Sequence, residues 1–200
     1  MISHKHKFIF IHIPKTAGTS LELSIEDSSC VYKRGEWDVK STGFNLPTNH
    51  FSLNQISRSG KLSPTELSSF FKFSFVRNPW DKVISECFCG QIQLVFKNCK
   101  TIKEKIKTVC NLSTAGYAGH FVKQIDFIQD KDYKIDFLGR FENLENDYSS
   151  LCTKLNINKK KLPHKHKSNR KNYKEYFDQE TIDLVASTYR EDINLFNYSY

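Results

Sequence analysis

The segment from Pro14 to Ser20 reads PKTAGTS and follows directly on an apolar run. Small residues let a backbone come close to a ligand, and the N–H groups at a helix start attract anions. Thr16, Thr19 and Ser20 supply hydroxyls, and Lys15 supplies a full positive charge. The segment therefore predicts a site for a phosphate-like anion. The alternative is an ordinary strand-to-helix turn in which a Thr or Ser caps the helix.

A second candidate site begins at Arg77, which follows the apolar run at residues 70–76. Arginine binds phosphate through two parallel hydrogen bonds, and ligands of parallel sheets bind at the carboxyl ends of the strands. Ser85 falls in the helix expected after Arg77, where its hydroxyl can reach the same anion. The alternative is that Arg77 pairs with Asp81 and that Ser85 is an ordinary surface residue.

Two other kinds of site are disfavoured. The sequence has no GxxxxGK[ST] loop and no apolar strand that ends in an aspartate placed for magnesium, which argues against a nucleoside triphosphate with that metal. The six cysteines show no CxxC spacing, and the pairs His4/His6 and His164/His166 have no acids or cysteines at metal-ligand spacing. We therefore expect no metal, and free thiols rather than disulfides.

The candidate residues need a framework, and the apolar pattern predicts one. Short continuous apolar runs at 7–13, 70–76 and 135–138 indicate strands, the first of them buried on both faces as in a parallel sheet. Residues 20–27 predict a helix directly after the first strand and its loop. The order strand, loop, helix is typical of an α/β fold.

Caps and apolar stripes predict the other helices. Asn78 is a good N-cap and Pro79 suits the first helical position, so a helix should begin after Arg77. Two or three helices are expected in 91–129, and Asp178 should cap one last helix. An apolar stripe predicts one more helix, through Leu144, Tyr148, Leu151 and Leu155. Residues 30–64 predict loops with one or two short helices, and 158–174 predict a loop.

Composition limits the classes of protein. The 200 residues are 38% hydrophobic and 14% aromatic, which supplies a core and excludes disorder of the whole chain. We expect a single domain over residues 1–200. No apolar run approaches the roughly 18 residues of a membrane span, and the first apolar stretch is too short for a signal peptide. We therefore expect a soluble, cytoplasmic protein.

The positive charge is concentrated in one segment. The chain has a formal net charge of +8, and residues 158–174 hold eight basic residues and no acid. Clustered lysines indicate an anionic partner without saying which one.

IHIPKTAGTSLE and FKFSFVRNPWDKVIS together resemble the sulfotransferases that use 3′-phosphoadenosine-5′-phosphosulfate (PAPS). Within them, the chain is most similar to the carbohydrate branch, which includes the heparan and chondroitin O-sulfotransferases and their small bacterial relatives. Three more segments are similar: NHFSL at 49–53, IDFLGRFENL at 135–144, and the tail from 162 to 198. The resemblance implies a three-layer α/β/α fold with a central parallel sheet, like that of P-loop nucleotide kinases. It also implies PAPS as co-substrate and a hydroxyl acceptor on a carbohydrate.

The resemblance assigns the donor-binding residues. The first motif corresponds to the 5′-phosphosulfate loop, and the second places Arg77 and Ser85 at the 3′-phosphate. The loop residues are Lys15, Thr16, Ala17, Gly18, Thr19 and Ser20. In the basic segment, Lys167, Ser168 and Arg170 correspond to a loop that closes over the 3′-phosphate and adenine. Two alternatives for that segment stay open, a patch that attracts an anionic glycan and a solvated loop.

Sulfuryl transfer needs a base for the acceptor proton and a cation at the leaving phosphate. Lys15 is the candidate cation. His50 is the candidate base, because an imidazole ordinarily titrates near neutrality and the residue falls on the catalytic histidine of the resembled family. The alternative is a surface histidine in a loop. His120 and Gln124 form an i, i+4 pair on a predicted helix, and the resemblance places such a pair near the acceptor; a surface pair is the alternative.

Two further residues are expected to be structural. His12 lies inside a predicted strand and is read as a core histidine, and Glu142 is read as a partner of Arg140 rather than a base. One other enzyme class stays open, an ATP-dependent small-molecule kinase of similar fold. A nucleic-acid-binding module that uses the basic segment is disfavoured, because only Tyr173 and Tyr176 lie near that charge to stack on bases, and no nucleic-acid partner is expected. The acceptor can be a capsule, a lipid-linked sugar, an exopolysaccharide or a small glycoside, and no oligomeric state is predicted.

Overall fold

The apolar runs form the strands of a five-stranded sheet in a computed structural model, which describes residues 1–32, 47–115, 117, 119–163 and 170–200. The strands are β1 (Ile2–Ser3), β2 (Phe8–Ile11), β3 (Cys30–Val31), β4 (Phe71–Val76) and β5 (Phe137–Arg140), in the order β3-β1-β2-β4-β5. β2, β4 and β5 run parallel, as predicted. β1 and β3 add an antiparallel edge that the sequence pattern did not indicate, so the sheet is mixed.

The α-helices of the described residues are numbered in chain order. They are α1 (Gly18–Ile25), α2 (Leu53–Arg58), α3 (Pro64–Ser69), α4 (Pro79–Cys87), α5 (Ile102–Asn111), α6 (Ile125–Ile128), α7 (Leu144–Leu155), α8 (Gln179–Thr188) and α9 (Arg190–Phe196). Short 3₁₀ helices cover Thr48–His50, Gly90–Phe96, Phe141–Asn143 and Tyr173–Tyr176. The α/β class predicted from the sequence is confirmed.

The described residues divide into two compact units. The first unit comprises Met1–Val76 and Asp126–Lys165 and contains the sheet. The second unit comprises Arg77–Ile125 and His166–Tyr200 and is helical. A single domain over residues 1–200 stays a prediction.

One core cluster of the first unit joins the sheet to α1 and α7. All four residues of β2 are buried, which explains why its run of apolar residues is continuous rather than alternating. Tyr148, Leu151 and Leu155 of α7 pack in the same cluster as Phe10 and Phe73 of the sheet. The predicted apolar stripe of α7 is therefore confirmed. The Ser74 hydroxyl donates to the carbonyl of Ile11 at 2.7 Å and ties the end of β2 to β4.

The helices of the second unit begin at side-chain caps. Asn78 is the N-cap of α4, and its side chain accepts the N–H of Trp80 at 3.1 Å, as the sequence predicted. Asp178 caps α8 by accepting the N–H of Thr181 at 3.0 Å. Val83 and Val185 lie in the apolar cluster that fills this unit.

Three predicted elements are placed differently. β5 begins at Phe137, two residues later than predicted. The reason is that the Asp136 carboxylate, rather than a backbone carbonyl of a neighbouring strand, accepts the N–H of Lys72 at 2.7 Å. The predicted helix after Asp178 is α8, and it is not the last helix, because the chain turns at Tyr189 and continues as α9, which was not predicted. The Tyr189 hydroxyl donates to the carbonyl of Phe121 at 2.6 Å. The predicted helix through His120 and Gln124 is wrong.

The described residues around His120, namely 117 and 119–124, are not helical for a local reason. Tyr117 and His120 pair in an antiparallel bridge, and Phe121 has a positive φ of 74°. A left-handed residue of this kind interrupts a helix, so helix begins only at α6.

None of the helices in the described part of the chain combines the length and the hydropathy that crossing a bilayer requires.

Candidate functional site

The loop between β2 and α1 has a strained backbone. Lys15 and Ala17 both have positive φ, 68° and 70°, although neither is a glycine. Such conformations cost of order 1–3 kcal/mol each and cluster at ligand-binding sites. Ala17 is the N-cap of α1 and makes no side-chain capping hydrogen bond. No N-cap hydroxyl or carboxylate therefore competes with an anion for the first-turn N–H groups of α1.

The hydroxyls of this loop differ in their surroundings. Thr16 is fully buried, and its hydroxyl donates to the carbonyl of Ile13 at 2.8 Å, which fixes the turn rather than offering a contact to a ligand. Ser20 is buried and Thr19 is half-buried. Thr16 can still bind an anion through its N–H, whereas its hydroxyl is already used.

His12 lies beneath the loop and explains its glycine. The His12 ring is buried, and Nδ1 lies 3.1 Å from Oε1 of the equally buried Glu22. A Cβ built on Gly18 would meet Cδ2 of that ring at 1.9 Å, so only glycine lets α1 start this close to His12. The prediction of a core histidine is confirmed. Its partner Glu22 was missed, because an acid in SLELSIED gives no local sign of what it contacts.

His50 is held in one orientation by the backbone of His12. Nδ1 of His50 lies 3.1 Å from the His12 carbonyl oxygen, and the two rings are 4.5 Å apart between centroids. A carbonyl oxygen only accepts, so Nδ1 must carry the proton and Nε2 is the basic nitrogen. Nδ2 of Asn49 lies 3.4 Å from Nε2. The structure thus places His50 beside the loop's supporting residues and leaves it half-buried.

In the second unit, one carboxylate holds two arginines. Oδ2 of Asp81 accepts from Nε of Arg77 at 2.8 Å and pairs with its NH2 at 2.7 Å. Oδ1 of Asp81 pairs with NH2 of Arg170 at 2.5 Å. All three side chains are largely buried. The alternative pairing of Arg77 with Asp81 is thus present, and the same carboxylate also brings the guanidinium of Arg170 to this point. Guanidinium groups are well suited to bind phosphate.

Of the other predicted phosphate ligands, Ser85 and Arg170 lie among the described residues. Ser85 is half-buried in α4, four residues after Asp81, and its hydroxyl has no hydrogen bond to any described residue. Lys167 and Ser168 lie outside the described residues. Of the three residues from the basic segment, Arg170 is the one that the structure describes, and it pairs with the carboxylate that also holds Arg77.

Gln124 and His120 are both buried, so the alternative of a surface pair is wrong. The Gln124 side chain bonds both backbone groups of Arg77. The backbone N–H groups of Gln124 and Ile125 donate to the buried Asp192. Burial raises the pKa of Asp192 above its ordinary value, and these two N–H bonds oppose the rise. Contact of His120 and Gln124 with the acceptor stays a prediction.

A second buried charge cluster surrounds Glu86. Lys82 Nζ lies 3.3 Å from one carboxylate oxygen of Glu86, and His120 Nδ1 lies 2.6 Å from the other. Glu86, Cys89 and His120 also place their ligand atoms within 4.8 Å of one another, close enough to hold a metal ion. The ammonium of Lys82 already balances the Glu86 charge and opposes a second cation there. The absence of a required metal stays a prediction.

Comparison with protein families matches residues 1–199 to the sulfotransferase family. Comparisons with curated proteins and with solved structures returned no match. The family transfers sulfuryl groups and generally uses PAPS as the donor. The match gives no support to the kinase alternative. Because it covers almost the whole chain, this protein belongs to the sulfotransferase family and is a transferase of sulfuryl groups.

Proposed function

We propose that this sulfotransferase moves the sulfuryl group of PAPS to a hydroxyl of a carbohydrate, with His50 as base and Lys15 at the leaving phosphate. The observation that carries the proposal is the bond from His50 Nδ1 to the His12 carbonyl, 3.1 Å long. It supports a base because it fixes the tautomer in which Nε2 is the accepting nitrogen.

The proposed chemistry is an in-line displacement at sulfur. The acceptor oxygen attacks sulfur as its proton passes to Nε2 of His50, and the bond from sulfur to the 5′-phosphate oxygen breaks. Adenosine-3′,5′-bisphosphate leaves with the electron pair of that bond. Lys15 and the first N–H groups of α1 stabilise the charge that develops on the leaving phosphate.

The donor is proposed to be held at its two phosphates by separate sets of residues. The loop from Lys15 to Ser20 takes the 5′-phosphosulfate, and its strained backbone supports this role. Arg77 and Ser85 take the 3′-phosphate, joined by Arg170, which shares a carboxylate with Arg77. Lys167 and Ser168 are proposed by resemblance to close over the same phosphate and the adenine.

The acceptor and the compartment are the less constrained parts of the proposal. A carbohydrate acceptor rests on the similarity of the two long motifs to the carbohydrate branch, which also suggests His120 and Gln124 near it. The lysine-rich segment 158–174 is compatible with an anionic glycan. A cytoplasmic location is supported by all six cysteines being free thiols, as a reducing compartment would keep them.

Transfer from radiolabelled PAPS to a panel of acceptors tests the proposal. The panel contains monosaccharide glycosides, neutral oligosaccharides, an anionic polysaccharide and a phenol, with the His50→Ala variant as the matched control. We expect label on at least one sugar, lost in the variant. Label on the phenol alone would contradict the carbohydrate acceptor. Equal labelling by His50→Ala would contradict the base.

A further inference from the structure

Gln124 is a fully buried side chain with both of its polar atoms bonded to a single residue, Arg77. Its Oε1 accepts the N–H of Arg77 at 2.8 Å. Its Nε2 donates to the carbonyl of Arg77, also at 2.8 Å. The amide therefore imitates a neighbouring strand by bonding to the donor and the acceptor of one peptide segment.

Arg77 needs such a partner because of its place in the chain. β4 ends at Val76, and the helix cap begins at Asn78, so Arg77 belongs neither to the ladder nor to α4. Buried backbone N–H and C=O groups must be paired, at a cost of about 1–3 kcal/mol for each one left without a partner. Gln124 meets that requirement and fixes the point from which the guanidinium extends.

Asp192 holds Gln124 in turn. Its two carboxylate oxygens accept the backbone N–H groups of Gln124 and Ile125, at 2.8 and 2.9 Å. Asp192 belongs to α9 and is fully buried. The three residues thus form a chain of hydrogen bonds from the C-terminal helix to the backbone of Arg77, over sequence separations of 68 and 47 residues.

We infer that Gln124 and Asp192 are positioning residues that set the Arg77 guanidinium for the 3′-phosphate, so that the C-terminal helix contributes to donor selection without touching the nucleotide. The inference rests on the proposed function, in which Arg77 binds that phosphate. Asp81 fixes the far end of the Arg77 side chain, and Gln124 fixes its backbone. An arginine held at both ends loses little freedom when it binds, which favours selective binding.

Gln124→Met tests this, because it keeps the length of the side chain and removes both hydrogen bonds. The first readout is native-state hydrogen exchange of the Arg77 amide, which should become faster. The second is calorimetric binding of adenosine-3′,5′-bisphosphate and of adenosine-5′-monophosphate. We expect the preference for the bisphosphate to fall about 3- to 10-fold, the scale of one or two net hydrogen bonds. Gln124→Glu keeps the acceptor for the Arg77 N–H and should give an intermediate loss.

Gln93→Met is the matched control, since Gln93 also donates from Nε2 to a backbone carbonyl of this unit, that of Cys89 at 2.7 Å. It should leave the bisphosphate preference unchanged. If Gln124→Met lowers thermal stability but keeps the wild-type preference, Gln124 is only structural and the inference is wrong. A raised KM for the acceptor with the nucleotide preference intact would assign Gln124 to the acceptor and overturn the inference as well.

Asp192→Asn is the second variant, and it decides the matter if Gln124→Met does not fold. The substitution replaces one carboxylate oxygen by an amide NH2 group, which cannot accept the backbone N–H that it faces. The preference for the bisphosphate should therefore fall, but by less than in Gln124→Met. If Asp192→Asn keeps the wild-type preference for the bisphosphate, the inferred positioning role of Asp192 is wrong. Arg77→Ala separates failure of this inference from failure of the proposed function. If Arg77 does not bind the 3′-phosphate, Arg77→Ala will also keep the wild-type preference for the bisphosphate.

Discussion

The loop from Lys15 to Ser20 in the first unit and the Arg77 cluster in the second both present positive charge, and they hold it in different ways. The loop depends on backbone: two residues with positive φ, an uncapped helix start and a glycine seated on the His12 ring. The Arg77 cluster depends on side chains, with the guanidinium groups of Arg77 and Arg170 both held by the largely buried carboxylate of Asp81. Lys15 supplies the loop's full charge and is half-buried.

The difference matches the two tasks proposed for these regions. A phosphate that gains charge during the reaction is served by N–H groups and a lysine that can follow the leaving oxygen. A phosphate that does not react needs selective recognition, which a planar, pre-oriented arginine supplies. Changes to the loop should therefore reduce turnover, and changes to the Arg77 cluster should reduce nucleotide selectivity.

The largest effect is expected for His50→Ala, which removes the base and leaves the nucleotide contacts in place. The value of kcat should drop by roughly 10²- to 10⁴-fold, the range for positioned acid–base groups. In the wild type, kcat/KM should fall at low pH as Nε2 becomes protonated, and that acidic limb should be missing from the residual activity of the variant. A variant that keeps the limb would point to another base, with Glu142 and His120 next to be tested.

Lys15→Ala comes next and tests the loop directly. We expect a loss in kcat of about 10²- to 10³-fold with the fold intact, the scale of one contact made in the transition state. Lys5→Ala, which removes an exposed lysine from the same unit, is the control and should behave as wild type. Near-normal kcat in Lys15→Ala would remove Lys15 from its proposed role.

Arg77→Ala should affect selectivity more than turnover. Binding of adenosine-3′,5′-bisphosphate should weaken about 10- to 100-fold relative to the 5′-monophosphate, the scale of charge-assisted hydrogen bonds. Ser85→Ala should shift the same ratio in the same direction and by less. The measurement is competitive inhibition by the two nucleotides. An unchanged ratio in Arg77→Ala would place the 3′-phosphate elsewhere.

The smallest effect is expected for Gly18→Ala, which tests whether the loop depends on close backbone approach. Overpacking of this kind costs about 1–3 kcal/mol, and each kcal/mol lowers Tm by about 2–4 °C in a protein of this size. Gly90→Ala is the matched control, because a Cβ there would meet nothing within 4 Å. Equal melting temperatures for the two variants, measured by scanning calorimetry, would show that His12 does not restrict the loop.

Local patterns account for the parts of the molecule that could be predicted. Apolar runs predict β2 and β4, a cap predicts α4, and an apolar stripe predicts α7. Each of these signals, like the motifs around Lys15 and Arg77, lies within about a dozen consecutive residues. The partners that orient these residues lie far away in the chain. Arg77 and Gln124 are 47 residues apart, and Gln124 and Asp192 are 68 apart. Single pairings between distant segments leave no periodicity in a sequence.

Nucleotide-dependent thermal stability shows whether the protein binds a 3′-phosphorylated adenine nucleotide, and the measurement needs no knowledge of the acceptor. A ligand present at 100 times its Kd stabilises a protein by about 2.7 kcal/mol. Adenosine-3′,5′-bisphosphate at such a concentration should therefore raise Tm by about 5–10 °C, given about 2–4 °C per kcal/mol. Adenosine-5′-monophosphate should raise it less, and ATP with magnesium or a short oligonucleotide should leave it unchanged. An equal rise with ATP and magnesium, or no rise with the bisphosphate, would contradict the account.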